Sequence, residues 1–422
     1  MVTRDDVANR AGISPAVVSY VVNGGPRRVA PGTRSKVLRA IEDLGYRPNG
    51  LARALRVQKT FTIGLIVPDN TNPFFAQLAR AVEETAFARG YVLLLGNSGQ
   101  DDKRQAAYVR TFLERKVDGL VLIADSDTGR SPLPEVTASE LKGAGVPLVL
   151  LDRSPSDLWA PSVTVDNEGG AYIATRHLIE HGHREVACLA GPDDLHTARR
   201  RTRGWRRALR EAGITPRPDL VARSRFRRDE GYRAVGRLLS GRPRPTALFA
   251  ESDAQAIGVL RWAQENGVRV PEDLALVSFD GIEEAAYTTP PLTTVAQPIE
   301  ELGRRSVELL VGPGAAGTPA PGYRPEALAV ELVRRRTCGC NGGDDKGPMA
   351  AGLPGAEPAR RGRRPRLDRP SGGCDAGTSP ARASDVPPEA GRPRSARDNE
   401  PAAGERPPAG RPAGRPRRPN GN

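Results

Sequence analysis

The sequence predicts an α/β protein: a small three-helix head, a two-lobed core of parallel sheets, and a disordered tail. Three observations carry this. From residue 61 to about 340, short apolar runs alternate with stretches of helical period, the pattern of parallel strands covered on both faces. Charge is uneven: residues 1–60 hold 11 basic and 4 acidic side chains, 341–422 hold 16 and 10, and the stretch between holds 36 of each sign. Composition breaks at Asn341, from which 82 residues contain 15 Pro, 14 Gly and no aromatic. Such a tail cannot bury enough apolar surface to offset its backbone entropy.

These facts also exclude classes. No apolar run approaches the roughly 20 residues of a membrane helix. The start, MVTRDDVANRAG, is charged and lacks the apolar stretch of a signal peptide. Cys188, Cys338, Cys340 and Cys374 form no paired framework for an oxidising compartment. A cytoplasmic protein is expected. The neutral 280-residue middle is large enough for two lobes, and the basic ends point to a polyanion.

The first helix of the head starts at Thr3, whose hydroxyl has Asp6 three residues on, a capping box. Val7, Ala8 and Ala11 form its apolar stripe and Gly12 ends it. Ser14-Pro15 then offers a capping hydroxyl before a proline pre-set for the first helical position. Val17, Val18, Val21 and Val22 continue that helix until Asn23-Gly24-Gly25. A third helix is expected over 33–44, with Val37, Leu38, Ile41 and Leu44 inward and Gly45 at its end. Two short helices joined by a tight turn and packed on a third can place a helix in the major groove. Arg10, Arg34 and Lys36 are candidate phosphate contacts. Tyr46-Arg47-Pro48-Asn49-Gly50 is a candidate hinge.

In the middle, strands are expected at 61–67, 91–96, 117–123, 146–151, 186–190, 246–250 and 275–279, with helices over 75–89 and 104–115. Two strand groups imply two lobes, with a ligand in the crevice at the strands' carboxyl ends. Residues just after those ends are pocket candidates: Asn72 and Phe74 after the first, Asp152 and Arg153 after the fourth.

Two motif sets carry a family resemblance. Asp6-Val7-Ala8-x-x-Ala11-Gly12-Ile13-Ser14-x-x-x-Val18-Ser19-x-Val21-x-Asn23 resembles the head of the LacI/GalR transcriptional regulators. So does Val29-x-x-x-Thr33-Arg34-x-x-Val37-x-x-Ala40-Ile41-x-x-Leu44-Gly45-Tyr46-x-Pro48-Asn49-x-x-Ala52-Arg53-x-Leu55, and the likeness continues to about residue 339. It implies a helix-turn-helix head at 1–47, a hinge helix or linker at 48–59, and a periplasmic-binding-protein-like core at 60–340. Lobe 1 would take about 60–158 and 290–320, and lobe 2 about 159–289 and 321–340. The tail, 341–422, lies outside the resemblance.

The resemblance implies DNA contacts from Ser14, Pro15, Ala16, Ser19, Tyr20, Asn23 and Arg34, and from Ala52 and Leu55 in the hinge, where Leu55 would wedge into the minor groove. Pro15 and Ala16 cannot make the bidentate bonds that read purines, so direct readout would rest on Ser19 and Tyr20. Isolated helices below about 12 residues are marginal, so a hinge helix at 49–56 would order only with DNA and a partner subunit. The effector site would hold Asn72, Phe74, Asp152, Arg153, Thr197, Arg201, Phe226, Asp253 and Asp280, with Arg201 and Asp280 clamping the ligand and Phe74 stacking on a sugar ring or base.

Catalytic and metal readings are weaker. Gly96-Asn97-Ser98-Gly99-Gln100 nearly mimics a nucleophile elbow but has Gln at its fifth position. His177 and His181 lie four apart without a completing carboxylate, and Cys338-Gly339-Cys340 lacks a second pair. No catalytic residue, metal site or cofactor is expected. The expected function is a homodimeric, sequence-specific repressor of pseudo-palindromic operator DNA. A small effector, a sugar or sugar derivative, would switch it. A sugar-binding transport receptor is the rival reading, disfavoured by the head.

Overall fold

The computed structural model describes residues 2–23, 28–48, 54, 57–123, 135–151, 160–241, 244–312 and 326–340. The tail and the hinge positions Ala52 and Leu55 lie outside these residues, as do Asp152 and Arg153.

Three helices form the head: α1 (Arg4–Ala11), α2 (Pro15–Asn23) and α3 (Pro31–Leu44). The capping box is present, with the Thr3 amide donating to Asp6 at 2.8 Å and the Asp6 amide donating to the Thr3 hydroxyl at 3.3 Å. Val7, Ala8, Val18, Val21, Val37 and Ala40 make the buried core. Leu38, expected inward, is instead 49% exposed. Helix α3 begins at Pro31, and its inward line runs Val37, Ala40, Ile41, Leu44; one residue on from Val37, Leu38 is turned about 100° away.

The core is built on two six-stranded sheets. The first contains β1 (Thr62–Val67), β2 (Val92–Asn97), β3 (Gly119–Ile123), β4 (Leu148–Leu151), β5 (Ser162–Val165) and β11 (Glu326–Leu328), in the order β11-β5-β4-β3-β1-β2. The second contains β6 (Val186–Ala190), β7 (Val221–Arg223), β8 (Ala247–Ala250), β9 (Ala275–Asp280), β10 (Thr293–Ala296) and β12 (Glu331–Val333), in the order β12-β10-β9-β8-β6-β7. All pairings are parallel except β10 with β12 at one edge. Helices α4 (Pro73–Ala88), α5 (Asp102–Glu114), α6 (Glu135–Ala144) and α11 (Ile299–Val311) accompany the first sheet. Helices α7 (Asn167–Glu180), α8 (His196–Glu211), α9 (Arg228–Leu239) and α10 (Asp253–Glu265) cover the second.

The apolar runs form strands because both faces are covered: β3, β4, β6 and β8 are buried along their whole length. Residues Ser162–Val165 and Glu326–Leu328 join the first sheet and Thr293–Ala296 the second, so the chain changes sheets after 165, after 296 and after 328. The expected boundaries near 158, 290 and 321 therefore shift by several residues. The strands concerned are short and carry Thr, Ser or Glu, so they give no apolar run.

In each sheet the strand order reverses beside the first strand, between β1 and β3 and between β6 and β8. Crevices at such switch points, outside the carboxyl ends, are where open α/β sheets bind ligands. The loops after β1, β6, β8 and β9 therefore position the candidate site.

Candidate nucleic-acid interface and ligand cleft

On α2, Ala16 is exposed, Pro15, Ser19, Tyr20 and Asn23 are half-buried, and exposed Ser14 precedes the helix. The Asn23 side-chain amide is folded onto the helix, donating to the Ser19 carbonyl at 3.2 Å and hydroxyl at 3.3 Å. Arg34 is exposed near the start of α3. Arg10, a phosphate candidate, lies 3.2 Å from Asp43 of α3, with both side chains more than half exposed.

The cleft is built around Arg201 on α8. Its side chain is 4% exposed and stacks on Phe279, 3.8 Å from the ring centroid, with the Phe226 centroid at 5.7 Å. Nε donates to Asn167 Oδ1 at 2.8 Å, and Nη1 reaches Asp280 Oδ1 at 3.1 Å and the Glu251 carbonyl. Gln297 donates to the same Asp280 oxygen at 2.9 Å. Burial pushes the Asp280 carboxyl up, neighbouring Asp253 adds to that, and the Arg201 guanidinium opposes it. A carboxyl against a fixed guanidinium offers ligand hydroxyls an acceptor and a set of donors side by side.

The backbone at Asp280 is unusual, with φ 123, and Gly281 follows at φ 77. A Cβ on Gly281 would lie 2.5 Å from the Ala296 Cα, so only glycine fits. Asp253 holds this turn. Its Oδ2 accepts the Gly281 and Ile282 amides at 2.7 and 2.9 Å, and its Oδ1 accepts the Ser278 and Thr294 hydroxyls. Asp253, expected to touch ligand, is fully buried and spends both carboxylate oxygens on this turn. Beside it, Ser252 caps α10, accepting the Gln255 amide at 3.1 Å. Sequence reading missed Glu251. Fully buried, it accepts the Gly191 amide at 2.7 Å and the Thr202 hydroxyl at 2.6 Å, and burial pushes it up to about 7. An acid directly after an apolar strand was its one visible signal.

From the first sheet, Asn72 caps α4, accepting the Phe74 amide at 3.1 Å, while its Nδ2 donates across the cleft to the Phe226 carbonyl at 3.2 Å. Phe74 is 4% exposed and packs edge-on to Phe75. Arg227 reaches Asp69 at 3.3 Å and Gln77 reaches Glu284 at 3.4 Å, two further contacts between the lobes among the described residues. Two cavities of about 520 and 560 Å³ are lined by both lobes. Thr197 is half-buried in the first turn of α8. The structure thus brings Arg201, Phe226 and Asp280 together, with Asn72 bonded across the cleft to Phe226.

Ser98 is fully buried, donating to the Val67 carbonyl at 3.2 Å, so the elbow-like motif exposes no nucleophile. The histidines and cysteines, read as unrelated, are in contact: Cys340 Sγ lies 3.3 Å from His177 Nε2 and 3.2 Å from His181 Nε2.

Residues 3–49 match the family described as bacterial regulatory proteins, lacI family, and 175–338 match the periplasmic binding protein-like domain. The HTH-type transcriptional repressor PurR of Aliivibrio salmonicida is 37% identical over 311 residues, 74% of this chain and 92% of that protein. PurR of Erwinia tasmaniensis is 40% identical over 314 residues, covering 74% and 90%. The chain belongs to the LacI family. Among solved structures, it is similar to the lac repressor dimer bound to operator and the anti-inducer ONPF, with TM-score 0.69, 30% identity and coverage of 80% of this chain and 99% of that one. The CelR–cellobiose complex matches with TM-score 0.57, 33% identity and coverage of 80% and 100%. As a LacI-family member, the protein is a DNA-binding transcriptional repressor with a small-molecule effector, not an enzyme. No described helix is long and apolar enough to cross a membrane.

Proposed function

We propose that this LacI-family repressor is switched by a polyhydroxylated effector, a sugar or sugar derivative, gripped between the lobes by Arg201 and Asp280. The observation that carries the reading is the buried Arg201–Asp280 pair beside Phe226, at the carboxyl ends of the second sheet. Charged groups take paired hydroxyl bonds while a ring covers the C–H face of a sugar. Asn72 and Phe74, with Asp152 and Arg153, would contribute from the first lobe, and Thr197 from the second. A planar heterocycle such as a purine base is the second reading. The phenyl rings of Phe74 and Phe226 suit it, as does the name of the PurR relatives, whereas the cellobiose complex favours the first.

The head, 1–47, would dock α2 in the major groove of a pseudo-palindromic operator, with Ser14, Pro15, Ala16, Ser19, Tyr20 and Asn23 toward the bases and Arg34 on phosphate. The hinge at 48–59 would add Ala52 and Leu55 in the minor groove of a homodimer. Effector binding would bias the lobes and, through them, the hinge.

The test is calorimetric titration of the full chain with mono- and disaccharides and with nucleobases, paired with operator binding. Replacing Arg201 and Asp280 together by Ala removes both members of the buried pair rather than leaving one alone. The double variant should lose the effector response and keep operator affinity. An unchanged response refutes the site, and a response to nucleobases alone replaces the sugar reading.

A further inference from the structure

We propose that His177, His181, Cys338 and Cys340 form a site for a zinc-class divalent cation. The set joins the C-terminal end of α7 to the segment after β12. His177 and His181 are four residues apart, so both rings leave the same face of the helix end, with centroids 4.4 Å apart. Between the cysteines, Gly339 has φ 85, a left-handed turn that brings the two sulfurs to 3.2 Å. The Cys340 sulfur then lies 3.3 Å from His177 Nε2 and 3.2 Å from His181 Nε2. The ligand atoms of His177, Cys338 and Cys340 all fall within 4.8 Å of one another.

With zinc bonds of about 2.3 Å to sulfur and about 2.1 Å to nitrogen, a tetrahedral shell separates its ligand atoms by about 3.4–3.8 Å. The close pairs open by a few tenths of an ångström to admit the ion, and His181, which lies outside the 4.8 Å group and touches Cys340 alone of the two cysteines, swings inward to complete the shell. Two thiolates with two imidazoles suit zinc and do not suit calcium or magnesium, which take oxygen ligands.

The surroundings orient the donors. His181 Nδ1 lies 2.8 Å from the His177 carbonyl, which can only accept, so Nδ1 carries the proton and Nε2 turns its lone pair to the sulfur. The Thr293 hydroxyl is 3.2 Å from Cys338 Sγ. The third histidine, His183, is engaged with Thr246 at 2.9 Å and takes no part. Thr337, just before the cysteines, accepts the Leu276 amide through its carbonyl at 2.7 Å and the Thr293 amide through its hydroxyl at 2.8 Å. The ion therefore staples the chain's last described segment to α7 and to β9 and β10, the strands that lead to Asp280 and Gln297. A ligand that binds only the folded form raises its stability.

The experiment is titration of the reduced, metal-free full chain with Co²⁺, then Zn²⁺. One cobalt per chain should give the visible bands of a tetrahedral ion with thiolate charge transfer. Zinc should displace it, and the melting temperature should rise on loading. Cys340→Ser and His181→Ala, at partly buried and exposed positions, should each weaken cobalt affinity at least about tenfold while operator binding in metal-free buffer stays unchanged. Absence of cobalt bands in the reduced protein overturns the proposal. So does binding that both variants retain, or a Cys338–Cys340 disulfide that persists in reductant.

Discussion

At the scale of single residues, the cleft rests on backbone held where side chains rarely sit. Asp280 tolerates φ 123 because Asp253 fixes the following turn through two amides and two hydroxyls. Gly281→Ala would put a methyl 2.5 Å from Ala296 in a left-handed conformation, so it should cost at least about 2 kcal/mol in urea unfolding and lower effector affinity. Glu251 makes the second residue-scale prediction. Burial raises it to about 7, against an ordinary value of 4.5, so the folded state takes up a proton that the unfolded state releases. Stability is then greatest below 4.5, falls as pH rises through this window, and is level above 7. The penalty at pH 8 is about 3 kcal/mol, at 1.36 kcal/mol per unit. Denaturant midpoints measured from pH 5 to 8 should fall for the native chain, and Glu251→Gln should flatten much of that slope. Asp280, also raised by burial, contributes the same sign, so some slope should remain. An unchanged slope in the variant removes Glu251 as the cause.

Elements show what sequence reading can and cannot see. In α3, Val37 is fully buried and Leu38 half-exposed, although the two are adjacent and equally apolar. Val37→Ala should cost about 2 kcal/mol from lost burial and the cavity left behind, while Leu38→Lys should stay within about 0.5 kcal/mol. Thermal unfolding of the head checks both; equal losses would mean that α3 packs on another face. The helix was legible from its period and Gly45, and so was its inward line of Val37, Ile41 and Leu44; only Leu38 was misplaced, because it lies about 100° from Val37 and apolarity alone does not show that. Long buried strands such as Val186–Ala190 were legible as continuous apolar runs. Short polar ones such as Thr293–Ala296 were not, because their strand character comes from pairing with β9 and β12, which local sequence does not encode. The same limit hid Glu251, whose partners Gly191 and Thr202 lie far along the chain. It also hid the meeting of Cys340 with His177, 163 residues away. Arg201 and Asp280 were legible only through family resemblance, since nothing in their spacing announces an ion pair.

For the whole molecule, the question is how a small ligand acts on a DNA-binding head. Among the described residues, side-chain contacts that bridge the lobes include Asn72 to Phe226, Arg227 to Asp69 and Gln77 to Glu284. They differ in worth. Arg227 is 48% exposed, and surface ion pairs contribute about 0–1 kcal/mol. Asn72 is 7% exposed, and its bond to the Phe226 carbonyl should contribute about 1 kcal/mol to the closed form. If the effector binds the closed form, loss of that bond reduces the closed population, and apparent affinity falls with the binding-competent fraction. Removing about 1 kcal/mol corresponds to roughly fivefold weaker effector binding. Asn72 also caps α4, so Asn72→Ala loses the cap as well; Asn72→Ser retains a capping oxygen and removes only the bridge. Asn72→Ser should weaken effector binding roughly fivefold, change denaturant stability little, and shift the effector concentration for half-maximal operator response upward by about the same factor. Arg227→Ala should do less of both. If Asn72→Ser alters effector affinity and leaves the operator response unmoved, closure is a local event and the switch lies elsewhere in the core.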